Sequence, residues 1–356
     1  MPAMSSLQIG LAIAGGLVLA GVVAHGAWVS RKNAPRQASA EQLDAHTEPQ
    51  LSAAADGTDG PALAEENYDT IPMALPTVAR RPAMDALIDA IATLTLESTT
   101  PAVSGEAAIA AMPATRRAGS KPFAIEGYNL HTDTWEAPAP GQRYGGFQMG
   151  VQLANRSGAL NEIEYSEFVV KTQVFADTIN ATADFPEMLD EVARARELDQ
   201  FASAHDAQLG FTIRARHASW SPGYVQQNAA RLGFVSGVIP GRMVLPSQVQ
   251  GGSPLLVLSF DSQAALAEDP AQTAIREVAL NLDVAQVDRN ENPFQRMREA
   301  ASALAQAMDG VVTDDNGQPL AELSIDGIGA ELQKLYDTLE QRDLAAGTPL
   351  ARRLFS

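Results

Sequence analysis

Cysteine is absent from the 356 residues. Its absence excludes disulfides, thiolate metal sites and a cysteine nucleophile. Histidine is scarce: His25, His46, His131, His205 and His217 are the five, and no two have metal-ligand spacing. Basic side chains are few, 25 against 43 acidic ones, for a net charge of -18. No basic stripe forms beyond Arg36, which argues against nucleic acid as a partner and against the soluble part lying flat on anionic lipid. No P-loop and no nucleophile elbow is found. The chain does not read as an enzyme, and neither a small-molecule substrate nor a cofactor is expected.

A further absence is local. Residues 1–30 contain no Asp, Glu, Lys or Arg, and residues 7–29 form an apolar run, LQIGLAIAGGLVLAGVVAHGAWV. About 20 apolar residues suffice for a helix to cross ~30 Å of hydrocarbon. Trp28 lies where an interfacial ring is expected, and Arg31, Lys32 and Arg36 follow directly. The positive flank favours the cytoplasmic side. The expectation is one N-terminal transmembrane helix with the short N-terminus outside and the remaining chain in the cytoplasm. The alternative is a periplasmic envelope protein with an N-terminal signal and an unidentified binding or enzymatic role. A cleaved signal would carry its basic residues before a shorter apolar core.

Residues 31–121 read as a linker. Between 37 and 79 the charged residues are all acidic, from Glu41 to Asp69, and large apolar residues are sparse. Such composition buries too little to offset ordering. Within 83–97, Met84, Leu87, Ile88, Ile91 and Leu94 have helical spacing, and a second short helix is expected near 105–112. A domain follows over 122–344, large enough for a real core, with a frayed tail at 345–356. Strands are expected near 123–128, 147–154, 209–215, 234–245, 255–260 and 278–284. Helices are expected to start at Asn161, at Asp184–Pro186, at Ser221–Pro222 and at Asn292–Pro293, with a last one from about Ser324. Asn316–Gly317 signals a hairpin. Strands arriving in runs between helices predict an α+β fold, a mainly antiparallel sheet with helices packed on one face.

Two acidic clusters invite a chemical reading. Asp314, Asp315 and Asn316 lack the twelve-residue calcium-loop pattern and suit a hairpin tip. Glu162, Glu164 and Glu167 crowd a helix start, where the dipole favours carboxylates. No metal site is expected.

Two patches resemble the ZipA family of membrane-anchored bacterial division proteins. One is HGAWVSRK at 25–32, similar to the family's membrane exit. The other runs from Leu209 to about Arg342, with its sharpest piece at GVVTDD, 310–315. The resemblance implies a split β-α-β, ZipA C-terminal-like domain whose bare sheet face holds the C-terminal tail of FtsZ, at the bacterial inner membrane of the division septum. The stretch 123–206 has no counterpart in that pattern.

Alternation assigns the candidate face. Leu256, Leu258 and Phe260 form one apolar row, leaving Val257, Ser259 and Asp261 opposite. Val278, Leu280, Leu282 and Val284 form another, leaving Ala279, Asn281 and Asp283 opposite. The larger rows should meet the helices. By resemblance, Ile239, Gly241 and Met243 join the bare face. The partner-peptide candidates are therefore Ile239, Gly241, Met243, Val257, Ser259, Asp261, Ala279 and Asn281. A solvated sheet face is the alternative for any one of them.

Overall fold

The computed structural model describes residues 35–38, 84–269, 273–314, 317–320 and 322–356. The apolar run at 7–29 and nearly all of the acidic stretch lie outside them. Among the described residues, no helix is long and apolar enough to cross a membrane. The chain divides into two compact units. An N-terminal unit comprises 84–205 with Arg353–Ser356, and a C-terminal unit comprises 35–38 with 206–352. Both are α+β, and the strands named below pair antiparallel.

The N-terminal unit begins with β1 (Asp89–Leu96), where the sequence reading placed a helix. Apolar residues at 84, 87, 88, 91 and 94 satisfy a helical template. The stretch 89–96 also alternates, with Ala90, Ala92 and Leu94 buried and Thr93 and Thr95 exposed. Its threonines and isoleucine suit a pleated surface, and pairing with two neighbours decides for the strand. Then come β2 (Val103–Ser104), α1 (Gly105–Ala111), β3 (Arg117–Ala118), β4 (Lys121–Asn129), β5 (Thr134–Glu136) and β6 (Arg143–Gln152). The helix near 105–112 is therefore present, but 84–121 is part of a folded core rather than a linker. After a two-stranded hairpin, β7 (Ala154–Asn155) and β8 (Gly158–Ala159), comes α2 (Glu162–Thr178). Asn161 caps it through a capping box with Glu164, which satisfies helix N–H groups that otherwise lack partners. β9 (Ala181–Asp184) and α3 (Met188–His205) complete the unit.

The strand order is β3-β4-β6-β1-β9. Phe147, Met149, Leu94 and Ile125 are buried, as are Phe168 and Phe175 of α2. Phe147 and Phe175 meet edge to face, with centroids 5.5 Å apart. The terminal residues belong to this core. Arg353 pairs with fully buried Asp89 at 2.5 and 2.9 Å, and Gln152 Nε2 donates to the Arg353 carbonyl at 2.8 Å. Burial pushes the Asp89 carboxyl above its ordinary value, with Arg353 opposing the shift.

The C-terminal unit runs β10 (Gln208–Ala215), α4 (Pro222–Ala230), β11 (Val235–Ser236), β12 (Arg242–Leu245), β13 (Leu256–Ser259), α5 (Ser262–Ala265) and β14 (Glu277–Asp283). It continues with α6 (Pro293–Met308), β15 (Gly310–Thr313) and α7 (Glu322–Glu340). The chain closes with α8 (Pro349–Leu354), so the tail is helical at its end rather than frayed, and Leu354 and Phe355 are buried. Strand order is β11-β12-β13-β14-β10-β15. Met297, Ala301, Leu304 and Met308 line the buried side of α6, a 3.6-residue stripe facing the sheet.

Apart from β11, the two orders coincide. In each unit the first long strand (β1, β10) lies second from one edge, between the last sheet strand before the long helix (β6, β14) and the strand after that helix (β9, β15). In each, an asparagine precedes the long helix. A residue at positive φ closes it: Asn180 at 55° and Asp309 at 56°. The stretch at 123–206, which the sequence reading could not place, thus belongs to a second copy of the C-terminal unit's topology.

Candidate functional site

The candidate face lies on the side of the C-terminal sheet away from α6. Register fixes which side chains share it. Val244 pairs with Val257, Val257 with Asn281, and Asn281 with Gly210. The next row is Arg242, Ser259, Ala279 and Thr212, and Thr212 pairs on with Thr313. Alternation sends the intervening residues inward, so Met243, Leu258, Leu280 and Phe211 are buried in one line. A groove of about 540 Å³ runs over the exposed rows, lined by Gly210, Arg242, Val257, Ser259, Asn281 and Asp283 among others. Its floor is small or apolar, and its rim carries one guanidinium and one carboxylate. A second hollow of about 640 Å³ lies between α6 and β15, with Arg216 and Arg298 in its wall.

Of the eight sequence-derived candidates, Val257, Ser259, Ala279 and Asn281 share this face. Met243 does not. It is 3% exposed and pairs with Leu258 in the core row. Its placement by resemblance was off by one residue, which in a strand inverts the side chain. The cause is the turn before β12. A single strand was expected over 234–245, but β11 ends at Ser236 and the chain turns before resuming at Arg242. Ile239 lies in that turn, exposed and outside any strand. Gly241 is buried at φ 75°, where an added Cβ would meet the Phe260 carbonyl oxygen at 2.6 Å, so it serves the turn and not the face. Asp261 lies beyond β13 and caps α5, accepting the Gln263 N–H at 2.9 Å.

Four residues of the face escaped the sequence reading: Gly210, Thr212, Arg242 and Val244. The alternation of Arg242 and Val244 against Met243 and Leu245 was a usable signal. Anchoring the hairpin from β13 backward, rather than from the family pattern forward, finds it.

Nothing on this face resembles a catalytic constellation. Among the described residues no cluster of three or more His, Asp or Glu could hold a metal ion. What the geometry offers is a shallow, mostly uncharged strip with close access to backbone, suited to an apolar helix or an extended peptide.

The matching N-terminal face is occupied. By register, Ala124, Gly150 and Ile91 stand where Val257, Asn281 and Gly210 stand in the other unit. Met84 lies on it. A Cβ added at Gly150 would lie 2.5 Å from the Met84 sulfur. The Met84 N–H donates to Glu126 Oε1 at 3.3 Å, and Gln148 donates to Glu126 Oε2 at 2.7 Å.

Residues 261–331 match the family model described as ZipA, C-terminal FtsZ-binding domain. The match covers α5, β14, α6, β15 and the first half of α7, well under half of the chain. Over this stretch the protein is ZipA-like. No curated protein matches the chain.

Proposed function

We propose that the protein binds the C-terminal tail of FtsZ on the open face of its C-terminal unit and holds it at the inner membrane during cell division. One observation carries the reading: the ZipA-type match falls on the unit whose sheet face is open, and includes the strand that supplies Ala279 and Asn281 to it. The apolar run at 7–29 and the basic residues after it support single-pass anchoring with the folded units in the cytoplasm.

A few central side chains dominate such interfaces, and Val257 is the central apolar one here. An FtsZ tail peptide titrated against the full chain should bind, and Val257→Glu should weaken binding at least tenfold, about 1.4 kcal/mol. Folding should survive, because Val257 is only half-buried. Leu258→Glu is the control on the other side of the strand. It places an unpaired charge in the core and should unfold the unit. Equal binding by Val257→Glu and the parent would overturn the assignment of the face.

A further inference from the structure

Residues 35–38 are packed into the C-terminal unit, only a few positions after the apolar run. Arg36 forms a parallel bridge with Trp220. Its N–H donates to the Ser219 carbonyl at 2.8 Å, and the Ser221 N–H donates to the Arg36 carbonyl at 2.8 Å. The guanidinium reaches the end of α6, donating to the Met308 carbonyl at 3.2 Å and to Asp309 Oδ2 at 2.9 Å. That helix end has carbonyls without helical partners and a partial negative charge, so a cation is favoured there. Trp220, fully buried, donates its Nε1–H to the same Met308 carbonyl at 2.7 Å. His217 approaches Asp309 Oδ2 at 3.2 Å. Its hydrogen bond, its charge when protonated and Arg36 hold the Asp309 carboxyl below its ordinary value. Pro35 is buried, and the Ala38 Cβ lies 3.8 Å from where a Cβ on Gly223 would sit.

Chain length gives these contacts a consequence. From Val29, the last residue of the apolar run, to Arg36 is seven residues, a reach of at most ~25 Å. A free tether from there to Met84 would span on the order of 40 Å as a coil and several times more when stretched. We propose that 35–38 is a clasp. The strip 219–221 and the end of α6 form an interaction surface whose occupant is this chain's own juxtamembrane segment. The clasp holds the C-terminal unit within a fixed short distance of the membrane exit. The stretch between Ala38 and Met84 then leads to the N-terminal unit and does not set how far the binding face stands from the lipid. The membrane half of this inference rests on the anchor reading above, whereas the clasp does not.

The absence of cysteine makes the test clean. In the full chain, Ala38→Cys with Gly223→Cys has the Cβ separation of a disulfide. Mild oxidation should convert it fully to the intramolecular bridge, read by peptide mass and a gel shift, with each single-cysteine variant as control. Adding Arg36→Pro removes the N–H to Ser219 and the ion pair, and should slow bridging at least tenfold. A pair that stays reduced overturns the clasp. In vesicles, a dye on Gln263→Cys, an exposed position outside the clasp, should transfer energy to a headgroup acceptor equally well with or without a 40-residue Gly/Ser insertion after Gly60. A fall in transfer on insertion shows that the tether sets the distance and overturns the proposal. Failure of the anchor reading is visible separately: the full chain would not float with vesicles while the disulfide still formed, and the clasp would then have no membrane role.

Discussion

The two units share a strand order and differ in what they do with the same sheet face. In the C-terminal unit the rows built on Val257 and Ser259 are open. In the N-terminal unit the corresponding rows hold Met84 against Gly150, with Glu126 bonded to the Met84 backbone and to Gln148. A sheet with one face on helices tolerates either outcome, because the second face adds little to the core. The contrast shows that topology does not make a binding site. Residue choice does: a glycine at 150 admits a methionine where Asn281 projects outward in the other copy, and Glu126 replaces Ser259. The N-terminal face is accordingly expected to take no FtsZ tail.

The largest expected effect tests whether the units are separable. Arg353→Ala leaves the Asp89 carboxylate buried and unpaired, which typically costs about 3–5 kcal/mol. Hydrogen exchange should show the loss over 84–205 and leave 206–340 unchanged; equal loss in both would mean that the units are one cooperative body. The folded Asp89 pKa is raised, so the folded unit binds this proton more tightly than the unfolded chain. Stability from this group is therefore full below its unfolded value, 3.8, and falls as pH rises through the folded value. Removing Arg353 should raise the folded value further and extend that fall to higher pH. A middling effect is expected from Met84→Ala, which empties the occupied face. Truncating a buried methionine costs about 2–5 kcal/mol, and its low end fits a side chain lying on an outer face. Thermal unfolding of the full chain measures it, and peptide titration asks whether the vacated face acquires FtsZ-tail binding. A second binding event there would turn the difference between units from residue identity into mere occupancy. The smallest effect compares the paired helix starts. Asn161 makes a capping box, whereas Asn292 is at φ 50° with no side-chain cap bond. Asn161→Ala should cost about 1 kcal/mol. Asn292→Gly should be neutral or slightly stabilising, since glycine accepts that backbone without strain. A chemical denaturation series separates the two signs.

Much of the C-terminal unit was legible in the sequence because its signals agree. Ser221–Pro222 starts a helix, residues 278–284 alternate, and Met297, Ala301 and Leu304 keep helical spacing. The N-terminal unit was half legible. Its long helix and the strand at 147–154 were readable, but β1 offered two periods at once and β9 is only four residues long. Without those two strands the shared topology could not be seen. At the face, Val257 against Leu258 followed from period two alone. Met243 failed because a turn interrupts the expected strand and resets the register: Pro240–Gly241 is a local turn signal, with Gly241 at φ 75° and the Arg242 N–H donating to the Ile239 carbonyl at 3.1 Å, but 234–245 reads as one strand when apolar content alone is followed.

Arg353–Ser356 is synthesised after residues 206–352, yet it belongs to the unit built from 84–205. At ~5–20 residues per second, the intervening stretch of about 150 residues takes roughly 10–30 s to synthesise. Throughout that interval Asp89 lacks Arg353 and the Gln152 amide lacks one of its carbonyl acceptors. The N-terminal unit is therefore completed only after residues 206–352 have been made, and a nascent chain stalled in that stretch displays an unfinished unit to chaperones and proteases.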